Sequence, residues 1–159
     1  MTYRRRASSA WSLRTLLRVA GQLGIEWHLL TDGDPAGESD IAAAARFVKP
    51  GEEEMRLTQL DDPDIEHCFW RYGYANVFRQ AAGKPQVASF RPNARAIISR
   101  AIERHSKPWM AMQLLEAAMR GKAGVPPPLR RVIETCVQLA RCGTKRPSGC
   151  GVPDEGEIS

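Results

Sequence analysis

The chain has no apolar run approaching the roughly 20 residues that cross a bilayer as a helix. It has no clean signal sequence either. Arg4, Arg5 and Arg6 suit an n-region, but Ser12, Arg14, Thr15 and Arg18 interrupt the segment that follows. A cytoplasmic protein with no membrane partner is expected. The four cysteines, Cys68, Cys136, Cys142 and Cys150, include no C-x-x-C pair. A zinc site needs tighter pairs with histidine nearby. The cysteines therefore read as reduced and structural, with Cys68 and Cys136 buried on apolar helix faces. His28, His67 and His105 lack the H-x-H or H-x-x-x-H spacing of a metal site, and His28 reads as a packed imidazole within a strand. No Gly-x-x-x-x-Gly-Lys loop is present, which excludes nucleotide binding by that route. Ser8, Ser9, Ser39 and Ser106 have no nucleophile-elbow context, so acyl chemistry has no support.

What is present suits a globular chain. It has 159 residues, 43% hydrophobic and 26% charged, which is a core-forming balance for about one domain. Its formal net charge of +5 favours polyanionic partners.

Periodicity divides the chain. Residues 1–11 are basic and Ser-rich and read as a tail. Leu13, Leu16, Leu17, Ala20 and Leu23 share a helical face that Gly24 ends. Ile25 to Thr31 reads as a buried strand, and Asp32 to Gly37 as a turn. Ser39 or Asp40 then caps a helix through Ile41, Ala44, Ala45 and Val48, ended by Pro50-Gly51. Glu54 to Leu60 alternates as a second strand. Asp61-Asp62-Pro63 opens a helix carrying Ile65, Cys68 and Phe69. This alternation implies an α/β region over residues 12–90, mainly a parallel sheet with flanking helices. Residues 91–142 read as an all-helical extension. Asn93 and Ser106 cap two of its helices, and a third starts at Pro128. Residues 143–159 read as a second tail.

The chemistry concentrates at Asp32-Gly33-Asp34. Ligands of open parallel sheets bind at the carboxyl ends of strands. Two carboxylates this close repel unless a cation lies between them, and Mg2+ or Mn2+ takes such hard oxygen donors. Gly33 allows a tight turn. An isolated D-G-D is more often a polar turn. An EF-hand fails because Ala36 and Ala43 stand where oxygen ligands belong. A phosphatase Asp-x-Asp-x-Thr/Val loop fails because position 36 is alanine. A nucleotide-sugar transferase with an Asp-x-Asp site remains a rival, although little chain precedes the motif to build a nucleotide pocket. The second strand ends in Asp61, Asp62, Asp64 and Glu66. Helix-dipole matching accounts for Asp62 and Asp64, whereas Glu66 is a candidate for the metal site. Lys107 opposes the dipole of its helix, and such a rule violation can mark function. Arg91, Arg95, Arg100, Arg104, Arg130 and Arg131 offer cations for DNA phosphates, so a non-catalytic DNA-binding module is an alternative.

Four pieces in order are Gly24-Ile25-Glu26-Trp27-His28-Leu29-Leu30-Thr31-Asp32-Gly33-Asp34-Pro35-Ala36-Gly37, Asp64-Ile65-Glu66-His67, Ser106-Lys107-Pro108 and Gly124-Val125-Pro126. Together they resemble the C-terminal TOPRIM region of OLD (overcoming lysogenization defect) family ATP-dependent endonucleases, over roughly residues 12–140. The resemblance implies a partial TOPRIM fold, Rossmann-like, and metal-dependent phosphodiester hydrolysis in DNA. It implies Asp32, Asp34 and Glu66 as ligands of Mg2+ or Mn2+, with Lys107 completing the catalytic set. The expected partners are DNA, an ATPase domain encoded upstream or supplied in trans, and a second copy in a homodimer. A complete TOPRIM domain begins with a strand and turn bearing a glutamate, which nothing before Trp11 resembles. A fragment, inactive unless another chain completes it, is therefore expected.

Overall fold

The computed structural model describes residues 12–83, 93–121 and 123–143. Helices dominate, around a two-stranded parallel sheet. Helix α1 (Leu13–Leu23) starts where the Ser12 hydroxyl accepts from the Thr15 N–H. It ends at Gly24, which adopts the left-handed conformation with φ 63°. Strand β1 (Leu29–Thr31) pairs in parallel with β2 (Leu57–Gln59), setting Leu29 opposite Leu57 and Thr31 opposite Gln59. The crossover holds helix α2 (Pro35–Ala44), a 3₁₀ turn at Ala45–Phe47 and the short helix α3 (Glu53–Arg56). Helix α2 packs on both strands and on α1, so one face of the sheet carries a helical layer.

The strands are shorter than expected. Residues 25–28 do not pair: Ile25 is exposed, and Glu26 binds Arg56. His28 lies just ahead of β1, where its ring meets the Met55 carbonyl at 2.9 Å and the Thr58 hydroxyl at 3.0 Å. Residues 53–56 form α3 instead of a strand. Glu53 and Glu54 in its first turn and Arg56 in its last suit the helix dipole. Helix α2 starts at Pro35, with Asp34 as its cap, where the sequence suggested Ser39 or Asp40. A proline in the first helical position and a capping aspartate before it outweigh the later candidates.

Helix α4 (Ile65–Phe69) is capped by Asp64. It runs into a segment, Trp70–Tyr74, that breaks at Tyr72 (φ −94°, ψ 32°) and Gly73 (φ 102°) before α5 (Ala75–Ala82). Helices α6 (Ala94–Arg104) and α7 (Lys107–Met119) are capped by Asn93 and Ser106, as the sequence indicates. Helix α8 spans Pro127–Gly143. The main buried cluster joins Tyr74, Phe78, Ala81 and Ala82 to Ile98, Ala101, Met110 and Leu114. The packing therefore runs from α5 into α6 and α7, across the 90/91 point. Cys68 is buried as expected, but Cys136 is exposed on α8, since no described element covers that side of the helix. Cys150 and Arg91 lie outside the described residues. No helix among the described residues is long and apolar enough to cross a membrane.

The Tyr74 hydroxyl ties α5 to the link before α8. It donates toward the carbonyls of Ala123 and Gly124, at 3.1 and 3.2 Å. Tyr74→Phe is expected to lower stability by about 1 kcal/mol with an unchanged denaturant slope, as read by urea unfolding.

Candidate functional site

The carboxyl ends of β1 and β2 meet at the Asp32–Asp34 turn. Beyond the strand pairing, the Leu60 N–H donates to the Thr31 carbonyl at 3.0 Å, and the Gly33 N–H donates to the Asp62 carbonyl at 3.0 Å. A side chain at Gly33 would put its Cβ 2.3 Å from the Leu60 carbonyl oxygen and 2.5 Å from that of Asp62. Gly33 thus serves close backbone approach and not a left-handed turn, for its φ is not positive. Gly37 is tighter still, with a Cβ placed 2.0 Å from the Asp32 carbonyl oxygen.

Asp34 has a definite local task. Its Oδ1 accepts the Gly37 N–H at 2.7 Å, satisfying an orphan donor in the first turn of α2. Its other oxygen makes no hydrogen bond among the described residues. The Asp32 carboxylate makes no hydrogen bond among the described residues, while its backbone carbonyl lies 3.4 Å from the Gln59 amide nitrogen. Behind it, the Thr31 hydroxyl is the one buried side-chain polar atom among the described residues without a partner. Such an orphan costs about 1–3 kcal/mol and needs a reason to persist.

Glu66 and Lys107 come from distant segments and meet. Lys107 Nζ lies 2.9 Å from Glu66 Oε1; the Glu66 side chain is 14% exposed and that of Lys107 69%. The position of Lys107 follows from local anchors. Ser106 Oγ accepts the Trp109 N–H, the His105 ring stacks on Trp109 at 3.9 Å, and His105 Nε2 reaches the Ala81 carbonyl. The first residue of α7 is therefore fixed relative to α5 as well as α6. An ion pair with a largely buried carboxylate explains a lysine that opposes its own helix dipole.

The cluster is electrostatically coupled. Partial burial pushes the Asp32 carboxyl above its ordinary value. Asp64, Asp34 and Glu66 push it further in the same direction, and Lys107 opposes them. Asp32, Asp34, Glu66 and Lys107, the residues singled out from the sequence, are thus brought within electrostatic reach of one another. Asp64 was missed as a neighbour of Asp32, having been read only as dipole matching. Its Oδ1 accepts the His67 N–H at 2.8 Å and lies 2.7 Å from His67 Nδ1. The signal was there in the cap-to-third-residue spacing of Asp64 and His67. Asp64 does stand at the helix N-terminus, as the cap of α4, whereas Asp62 does not serve a helix dipole. Its side chain, 8% exposed, pairs with Arg71 at 2.9 Å, and it holds Gly33 through its carbonyl.

The donor chemistry suits a hard divalent cation. At one end of the sheet the Asp32 carboxylate is repelled by those of Asp64, Asp34 and Glu66, and oxygen is the ligand type Mg2+ and Mn2+ take. Among the described residues no three His, Cys, Asp or Glu side chains are grouped closely enough to form a ready metal cluster. One oxygen each of Asp34, Asp64 and Glu66 is engaged by Gly37, His67 and Lys107.

No family model and no solved structure matches the chain. It is similar to an uncharacterized protein of Escherichia coli (strain K12), YbjD, with 39% identity over 132 residues, 81% of this chain. The chain spans about a quarter (24%) of that relative's length.

Proposed function

We propose that the chain carries a divalent-metal-dependent site for phosphodiester hydrolysis in DNA, a TOPRIM-type endonuclease site resembling that of the OLD family. The observation that supports this reading is the convergence of Asp32, Asp34, Glu66 and Lys107, from the end of β1 and the first turns of α4 and α7, on one end of a parallel sheet. Asp32, Asp34 and Glu66 are the residues to hold Mg2+ or Mn2+. A bound cation supplies Lewis acidity toward a phosphoryl oxygen. The chain's own contribution is position and charge. Asp34 is held by the α2 cap and Asp32 by the clamped Gly33. Lys107 offers a fixed positive charge where negative charge grows in phosphoryl transfer. The same reading makes DNA and an ATPase domain the partners, allows a homodimer, and makes the protein cytoplasmic.

The test is calorimetry with Mn2+ added to the full chain and to Asp32→Ala/Asp34→Ala, paired with a plasmid-nicking assay. Weak binding by the wild type and none by the double variant is expected, with any nicking lost in the variant. Identical heats for the two proteins sink the site. Salt-dependent DNA binding that survives the double substitution, with no metal-dependent nicking in either protein, favours a non-catalytic DNA-binding module.

A further inference from the structure

A small cavity of about 260 Å³ opens beside the acidic turn, lined by Thr58, Gln59, Tyr72, Pro127, Pro128 and Arg131. Asp61 completes its rim. It shares a wall with the turn: Gln59 is the residue that reaches the Asp32 carbonyl, and Asp61 precedes the Asp62 that holds Gly33.

The walls are held in place before any ligand arrives. Tyr72 sits at the break between α4 and α5, where the chain leaves helical geometry. The link to α8 is pinned by the Tyr74 hydroxyl and by Pro126, which is fully buried. Pro127 and Pro128 present carbon surface with no N–H to satisfy. Thr58 is held through His28.

The size and chemistry select one kind of occupant. The volume falls below the roughly 300–1,000 Å³ of sites for drug-sized ligands, so it suits a single ring system. An aromatic ring and two prolines offer flat apolar surface. The Gln59 amide, the Asp61 carboxylate and the Arg131 guanidinium offer donors and acceptors at the rim. Arg131 makes no ion pair among the described residues. Stacking surface plus a cation beside a backbone-cutting site is the pattern of single-strand recognition.

We propose that this cavity receives one nucleobase, unstacked from its strand, next to the phosphate held at the Asp32 site. The substrate class is therefore DNA with an unpaired or frayed base beside the cut, because a base inside a duplex cannot offer its faces. This rests on the nuclease reading above.

The test is fluorescence anisotropy in EDTA with the full chain and two labelled strands, an eight-residue oligothymidylate and an abasic strand of equal phosphate number. The oligothymidylate is expected to bind about fivefold tighter or more. Tyr72→Ala is expected to erase that preference while leaving affinity for the abasic strand unchanged. Tyr72→Leu, which keeps apolar bulk but not the flat ring, tests the same point if the alanine variant fails to fold; Tyr72→Phe should retain the preference. Equal affinity of the wild type for both strands overturns the proposal, as does a leucine or alanine variant that keeps the preference. EDTA separates the two readings. Base preference in a protein that gives no Mn2+ heat overturns the metal site alone, and Mn2+ heat without base preference overturns the pocket alone.

Discussion

Gly33→Ala and Gly37→Ala are each expected to lower the stability of the chain by about 2 kcal/mol or more, and to remove any metal binding with it. Overpacking a well-filled site costs about 1–3 kcal/mol when side chains can move aside. Here the obstacles are the backbone carbonyl oxygens of Leu60 and Asp62 for Gly33 and of Asp32 for Gly37, at 2.0–2.5 Å. Relief requires the two loops to separate, which breaks the hydrogen bond from Gly33 to Asp62 or the Asp34 cap on Gly37. Either movement displaces a carboxylate of the cluster. Gly21→Ala is the control. It lies within α1, and an added Cβ there meets nothing within 4 Å. Alanine costs less backbone entropy than glycine in a helix, so this variant should gain about 0.5–1 kcal/mol. Thermal melts of the three variants check the ordering. If Gly33→Ala melts with the wild type, the clamped turn is wrong.

Local chemistry was what the sequence made legible. Asn93 and Ser106 announce their helices because a cap acts within three residues, and both cap as read. The parallel pairing of two strands flanked by helices was also readable, from alternation alone. Competition between local signals was harder. Asp34 reads from the sequence as a metal ligand or a polar turn residue, yet it is the α2 cap, so the helix starts at Pro35. Glu54 to Leu60 alternates like a strand, but its first half answers to helix charge matching. At the site, Asp32-Gly33-Asp34 stood out by composition, whereas the contact between Glu66 and Lys107 depends on how α6 and α7 fold back over α4 and α5. No spacing rule carries that distance; only the resemblance named the two residues together. The burial of Asp62 and the exposure of Cys136 were invisible for the same reason, since both depend on which element covers which.

Asp32→Asn is expected to reverse its effect on stability when metal is added. Without metal, the Asp32 carboxyl titrates above its ordinary range, first through burial and then through Asp64, Asp34 and Glu66. A carboxylate with a raised folded-state pKa burdens the folded chain at every pH above that pKa, because the unfolded chain gives up the proton more readily. The burden fades as pH falls and vanishes below the unfolded value, near 3.8, where both states hold the proton. The neutral amide of Asn removes it. The variant should therefore melt above the wild type at pH 7 in EDTA, with the gap closing toward pH 3. A cation that binds only the folded chain adds about 2.7 kcal/mol at a concentration one hundred times its Kd. That gain belongs to the wild type, whose repelling carboxylates are the reason a cation is favoured. With saturating Mn2+ the wild type should overtake Asp32→Asn by several degrees, read by calorimetric melts in EDTA and in Mn2+. A variant that stays above the wild type under both conditions separates the acidic cluster from metal binding. It would leave the repulsion around Asp32 to be relieved by Lys107 alone.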